Sequence, residues 1–197
     1  YAVVRGTAVN NDGFSNGLTA PNPHAQAAVI RAAWSRAAVD PADVSYVESH
    51  GPGTILGDPI EASALGEVFH PGRTDPLRIG SVKTNLGHLE AAAGIVGLMK
   101  AALSLHNGAI PPNLHFAKPS PHIQFEQLGL EVNNRFSSFP DRPIRFAGIS
   151  SFGFGGTNAH AAIEEAPQRR SVVIPLAANS EDGIREMARS MSGALMD

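Results

Sequence analysis

Two histidines in this chain stand at glycine-rich junctions where an apolar, strand-like run gives way to a helix start. His50 closes the run V-S-Y-V-E-S-H and is followed by G-P-G-T. His88 lies in S-V-K-T-N-L-G-H-L-E-A-A-A-G, five residues after Lys83. An imidazole just ahead of a helix's first turn sits among unsatisfied backbone N–H groups and at the positive end of the helix dipole. Such a place suits developing negative charge. A lone histidine is more often a satisfied structural residue, but two at matching junctions point to chemistry.

The elements that must position them can be read from periodicity. Val44, Tyr46 and Val47 suit a buried strand whose carboxyl end carries His50. Gly51, Pro52 and Gly53 forbid its continuation. Asp58, Pro59 and Glu61 then predict a capping-box-like helix start with Asp58 as N-cap, the helix running to about Phe69. Upstream, Tyr1 to Asn10 reads as a strand closed by Asn11-Asp12-Gly13. Ile30, Ala33, Trp34 and Ala37 recur at helical spacing within His24 to Ala38. The order is strand, helix, strand, helix, and Leu77 to Val82 adds a short strand.

Ile95, Leu98, Met99, Ala102 and Leu103 predict a buried helix over about Glu90 to His106, and its small residues from Ala91 to Gly97 predict a close neighbour. Gly108 to Gln127, interrupted by Pro111, Pro112, Pro119 and Pro121, reads as an extended surface segment with His115 and His122 exposed. Leu130 to Arg135 reads as a strand. Phe146 to Phe152 and Asn158 to Glu165 read as a hairpin whose tip, Gly153-Phe154-Gly155-Gly156, would come close to a ligand.

Composition narrows the classes. The 43% apolar fraction is that of a globular protein, and a net charge of −3 makes no electrostatic case for nucleic acid or an acidic membrane. No apolar run approaches a membrane span and no basic-then-apolar leader opens the chain, so a cytoplasmic protein is expected. The missing initiator methionine and leader suggest a piece of a longer chain. With no cysteine, disulfides, thiolate metal sites and a thiol nucleophile are excluded within these 197 residues. Gly13-Phe14-Ser15-Asn16-Gly17 matches the G-x-S-x-G nucleophile pattern, but Pro21 and Pro23 oppose the helix that must follow, so Ser15 reads as a turn serine in a loop over Gly13 to Pro23. Gly51, Gly53 and Gly57 form G-x-G-x-x-x-G rather than the dinucleotide fingerprint, and the next strand supplies no acid. No histidine cluster has zinc spacing, so no metal is expected.

H-G-P-G-T at His50, K-T-N-L-G-H at Lys83 and G-F-G-G-T-N-A-H at Gly153, together with V-N-N-D-G-F-S-N-G-L-T-A-P-N and G-D-P-I-E-A, carry a family resemblance. The chain resembles the C-terminal half of a β-ketoacyl synthase, the ketosynthase of a type I modular or iterative polyketide synthase. The resemblance covers residues 1–166. Residues 167–197 resemble the start of the linker between ketosynthase and acyltransferase.

What the resemblance implies is an α/β, thiolase-like fold forming half of a five-layered αβαβα core. It also implies an acyltransferase activity: decarboxylative Claisen condensation of a cysteine-bound acyl thioester with a malonyl-type extender. The extender would be carried on the phosphopantetheine of an acyl carrier protein, with no cofactor bound directly. His50 and His88 would be the catalytic histidines and Lys83 the family's lysine; proximity in the sequence, not the resemblance, suggests Glu90 as its partner. Thr54 and Pro52 would face the pantetheine arm, and Phe154 would gate the acyl pocket with Gly153, Gly155 and Gly156 giving the loop freedom. Implied partners are the N-terminal ketosynthase half, the carrier protein, the adjacent acyltransferase and a second copy in a homodimer.

The cysteine belongs to the missing half, so this piece alone is expected to be inactive. A non-catalytic docking half-domain is the alternative. Pro52 departs from the family's usual H-G-T-G-T, and loss of that threonine hydroxyl should weaken arm binding by about 0.5–1.5 kcal/mol.

Overall fold

The computed structural model describes residues 1–14, 20–167, 178 and 180–194. Ser15, and with it the expected turn serine, lies outside the described residues, as does most of the expected linker's first part. The chain divides into two compact units, Tyr1–Ala166 and Pro167–Asp197. In the second unit, helix α5 (Glu181–Ala194) carries an exposed Glu181–Arg185 ion pair one turn apart.

The first unit is built on a six-stranded mixed sheet. Its chain order is β1 (Ala2–Asn11), α1 (Pro23–Ala37), β2 (Val44–Glu48), α2 (Gly57–Phe69), β3 (Leu77–Gly80), α3 (Lys83–Leu86), α4 (Ala93–Asn107), β4 (Ala109–Ile110), β5 (Leu130–Val132), β6 (Ser137–Ser138), β7 (Phe146–Phe152) and β8 (Thr157–Glu165). The sheet order is β1-β8-β7-β2-β3-β5, with β7, β2, β3 and β5 parallel and β8 antiparallel to both its neighbours. β4 and β6 pair separately. β2 therefore lies inside the sheet, and the loop after its carboxyl end opens at the edge where parallel sheets place ligands.

α1 and α2 cover one face. Asn22 caps α1 by accepting N–H bonds from His24 and Ala25, and Trp34 meets Phe69 edge-on at 6.0 Å over the sheet. A bulge in the pairing of β2 with β7 between Val44 and Tyr46 puts Val44 and Val47 in the same core, while Tyr46 joins the core on the opposite face. α4 covers that opposite face.

Three expectations are corrected here. The apolar stripe of α4 is split: Ile95, Met99 and Leu103 point outward at 50%, 55% and 49% exposed, Leu98 and Ala102 pack half-buried on the core, and the buried residues are Ala93, Gly97, Ala101, Ser104 and Leu105. Small residues face the sheet because the helix lies close to it; a Cβ on Gly94 would meet Ser151 Oγ at 3.0 Å. Gly108 to Gln127 is not only surface, since Ile110 is fully buried in β4 and Ile123 and Phe125 pack on the core. The strands expected over Leu77 to Val82 and Leu130 to Arg135 end earlier, at Gly80 and Val132. His115 and His122 are exposed as expected. Among the described residues no helix is long and apolar enough to cross a membrane.

Candidate active site

The strand run of β2 ends at Glu48, and His50 follows in a turn that no ordinary residue pair would hold. Gly51 and Gly53 both have positive φ, +43° and +79°. The turn is tied by carboxylates. Glu61 of α2 reaches back so that its Oε1 accepts the N–H of His50 at 2.7 Å and its Oε2 that of Gly51 at 2.8 Å. Asp58 accepts both the Gly53 N–H at 3.0 Å and the Thr54 N–H at 3.2 Å on one oxygen, Oδ1.

Asp58 is therefore not the N-cap. α2 begins at Gly57, whose N–H is accepted by Thr54 Oγ1 at 2.9 Å, and the acids of its first turns serve the preceding loop instead. That leaves the Thr54 hydroxyl proton free to be donated elsewhere.

Lys83 opens α3, and its Nζ donates to the backbone carbonyl of His50. This replaces the expected pairing with Glu90, whose backbone N–H instead donates to His88 Nδ1 at 3.0 Å. The bond makes Nδ1 an acceptor, so in the neutral ring the proton sits on Nε2. The two imidazoles, 38 residues apart in sequence, meet edge to face with ring centroids 5.5 Å apart. The Phe152 ring centroid lies 5.8 Å from that of His50.

The electrostatics keep His50 neutral. Burial, then the Lys83 and His88 charges, pull it down from 6.5 to about 4. Lys83 is also lowered by burial, against the opposing pull of Glu61, Glu48 and Asp58. Glu61 is pushed up to about 7 by burial, although its bonds from Gly51 and His50 favour the charged form.

The two histidines open onto one cavity of about 860 Å³. His50, His88, Pro52, Thr54, Gly153 and Phe154 border it; Gly155 and Gly156 stand behind Phe154 in the β7–β8 turn without lining it. That turn is closed by Gly153 N–H to Thr157 O at 2.7 Å and Gly156 N–H to Gly153 O at 2.9 Å. Phe154 is 83% exposed at its tip, so it is not a core aromatic. Lys83 sits behind His50 rather than on the cavity wall.

Sequence reasoning missed Glu61 as the clamp of the His50 turn and missed Glu48 and Lys100 altogether. The signal was present: an acid in an otherwise apolar strand, and one lysine in the apolar helix G-I-V-G-L-M-K-A-A-L. Buried charges are rare unless paired.

Comparison with known proteins agrees with this architecture. The family described as beta-ketoacyl synthase, C-terminal domain, matches residues 1–117, and that described as ketoacyl-synthetase C-terminal extension matches residues 119–196. The chain is 57% identical over 173 residues to a phenolphthiocerol/phthiocerol polyketide synthase of Mycobacterium tuberculosis, covering 86% of this chain and 9% of that protein. It is 48% identical over 207 residues to erythronolide synthase EryA3 of Saccharopolyspora erythraea, covering 100% of this chain and 6% of that protein. The oxazolomycin ketosynthase domain OzmH KS7 of Streptomyces albus JA3453 superposes with a TM-score of 0.81 at 36% identity, covering 95% of this chain and 35% of that one. The module 6 ketosynthase of the bacillaene synthase of Bacillus subtilis 168 gives 0.80 at 38% identity, covering 99% and 35%. The chain thus spans under a tenth of these curated relatives and about a third of these ketosynthase domains. The α/β fold is thiolase-like, and the chain belongs to the beta-ketoacyl synthase family, as the C-terminal domain of a ketosynthase of the type I polyketide synthase kind.

Proposed function

We propose that this chain supplies the decarboxylation apparatus of a ketosynthase that condenses an acyl thioester with a malonyl-type extender. The observation that carries the reading is the meeting of His50 and His88 at 5.5 Å on the wall of one cavity, from segments that share no local structure. When the extender's C–C bond to its carboxylate breaks, carbon dioxide leaves and the electron pair passes into an enolate. Negative charge then grows on the thioester oxygen. Two imidazole N–H donors fixed before that charge develops need no reorganisation to stabilise it. The enolate carbon then attacks the acyl thioester carbonyl, and the sulfur departs as thiolate. That sulfur belongs to a cysteine of the N-terminal half, since this chain has none.

Lys83 acts from behind, holding the His50 carbonyl. Thr54, with its hydroxyl proton unspent, faces the phosphopantetheine arm of an acyl carrier protein, and Pro52 beside it offers only apolar surface. Phe154, exposed between glycines at the hairpin tip, gates the acyl pocket. Residues 1–166 form the half-domain, and 167–197 begin the linker toward an acyltransferase. The further partners are the N-terminal half and, in the complete enzyme, a second copy.

The test is decarboxylation of malonyl-carrier protein by the chain alone, by the chain with the N-terminal half of a ketosynthase, and by that pair with His50→Ala or His88→Ala. Activity is expected only in the pair, and each substitution should lower it by about 100-fold or more. Association of the halves without any turnover would favour a docking half-domain instead.

A further inference from the structure

Behind the two histidines lies a second polar cluster, sealed in the interface between the sheet and α4. Glu48, the last residue of β2, is 1% exposed, and its carboxylate meets three donors. Oε2 accepts from Tyr46 Oη at 2.6 Å and pairs with Lys100 Nζ of α4 at 2.8 Å. Lys100 Nζ also donates to Tyr46 Oη at 3.0 Å. Oε1 turns the other way and accepts the buried backbone N–H of Val82, the residue directly before Lys83.

Space has been cleared for this cluster. A Cβ on Gly80 would come within 2.7 Å of Tyr46 Oη and 3.4 Å of Lys100 Nζ. A Cβ on Gly97 would come within 3.2 Å of Glu48 Cγ. Glycines on β3 and α4 thus admit the hydroxyl, ammonium and carboxylate between elements that would otherwise close on each other.

The cluster joins the three segments that position the site. β2 leads two residues on to His50, Val82 leads into α3 and Lys83, and α4 follows the loop of His88. Resting on the functional reading of His50 and His88 above, we propose that Glu48 is a positioning residue, whose carboxylate, held by Lys100, grips the Val82 N–H and sets Lys83 against the carbonyl of His50.

Only a carboxylate can do this. It presents acceptors on both sides at once, whereas an amide has one oxygen and one NH₂. In Glu48→Gln the amide oxygen stays with the Lys100 ammonium, which would repel the NH₂ group, so the NH₂ faces the Val82 N–H and that donor loses its acceptor. Glu48 touches neither substrate nor imidazole, so it acts through Lys83 alone.

The test compares Glu48→Gln with Tyr46→Phe, which removes one donor but leaves the carboxylate bonded to Lys100 and Val82. Amide exchange and the ¹³Cε resonance of Lys83 are read by NMR on the chain itself, under conditions where both variants stay folded. Glu48→Gln should speed exchange at Val82 by about tenfold or more while Val47 and Ile79 in the core strands keep their protection, and should move the Lys83 resonance. Tyr46→Phe should do neither. In the pair with the N-terminal half, Glu48→Gln should lower kcat for decarboxylation on the order of 10- to 100-fold with KM within about threefold, as a misplaced group does.

Unchanged Val82 exchange or an unmoved Lys83 in Glu48→Gln overturns the proposal, as does equal loss of kcat in both variants. If the unsubstituted pair proves inactive, the functional reading falls, and the exchange and Lys83 readouts still decide whether Glu48 sets the lysine. If Glu48→Gln does not fold, Glu48→Asp takes its place: it keeps the charge but shortens the reach, and is expected to release Val82 while retaining Lys100.

Discussion

Glu61 holds His50 by its backbone: the carboxylate spans the turn, one oxygen 2.7 Å from the His50 nitrogen and the other 2.8 Å from that of Gly51. The imidazole is thereby presented by a bond that never touches it. A helix residue 11 positions away fixes where a strand's last turn points.

This grip has a measurable pH signature. Burial raises the Glu61 carboxyl in the folded chain from 4.5 to about 7. The folded state therefore binds the proton more tightly than the unfolded one between those values. Its contribution to stability is full below 4.5 and is lost as pH rises through 7. Glu61→Gln removes that slope, so urea unfolding of the two chains should show the variant gaining on the unsubstituted chain between about pH 5 and pH 8. A gap independent of pH would refute the assignment. In the pair with the N-terminal half, the same variant should lower kcat by about tenfold, because one of two N–H bonds is left unmet.

His160 should act with the opposite sign. It is buried beneath Trp34, whose indole N–H donates to Nε2 at 3.0 Å, while Ser150 Oγ lies 3.0 Å from Nδ1. Burial lowers its pKa from 6.5 to about 3. The unfolded chain takes the proton first, so the stability this neutral ring contributes is present above 6.5 and lost as pH falls toward 3. The loss is about 1.4 kcal/mol per pH unit, or about 2 kcal/mol by pH 5. Measured against His160→Gln by urea unfolding, the advantage of the unsubstituted chain should shrink by that amount between about pH 7 and pH 5; a constant difference would exclude a neutral buried imidazole.

The outward stripe on α4 predicts behaviour of the chain by itself. Ile95, Met99 and Leu103 lie one turn apart and are each about half exposed, a contiguous apolar surface of the sort that marks an interface. Light scattering should find self-association that Met99→Lys with Leu103→Lys abolishes. The same double variant should fail to complement the N-terminal half. A monodisperse unsubstituted monomer would contradict this.

Pro52 supplies the most specific prediction about the carrier arm. It lines the cavity next to Thr54, whose oxygen already accepts from Gly57 and whose proton remains to be donated. Pro52→Thr in the pair should lower KM for the carrier-bound substrate by about 2- to 12-fold, the equivalent of one added hydrogen bond of about 0.5–1.5 kcal/mol, with little change in kcat. An unchanged KM would show that position 52 does not face the arm.

Much of the scaffold was legible in the order of residues, because the forces that decide it are local. The apolar run from Val44 to Val47, the break at Gly51 to Gly53 and the glycine tip between Phe152 and Thr157 each place an element within a residue or two of where it lies. The junction histidines and Lys83 stood out for the same reason. Their type and their place beside a glycine turn are local facts.

What the tertiary structure alone decided concerns contacts between distant segments and the side of each element that meets another. Periodicity finds the apolar stripe of α4 but cannot say that the sheet takes the small-residue face instead, since that depends on what occupies the space between. Proximity suggested Glu90 for Lys83, yet a lysine takes the acceptor its backbone can reach, here the carbonyl of His50. An acid at a helix start fits a cap equally well as a clamp, and only the return of the His50 turn over α2 assigns Glu61 to the second. Glu48 and Lys100 are 52 residues apart, and their pairing exists because α4 crosses β2 at its carboxyl end. Sequence determines the elements and the chemical groups; the packing of those elements determines which groups meet.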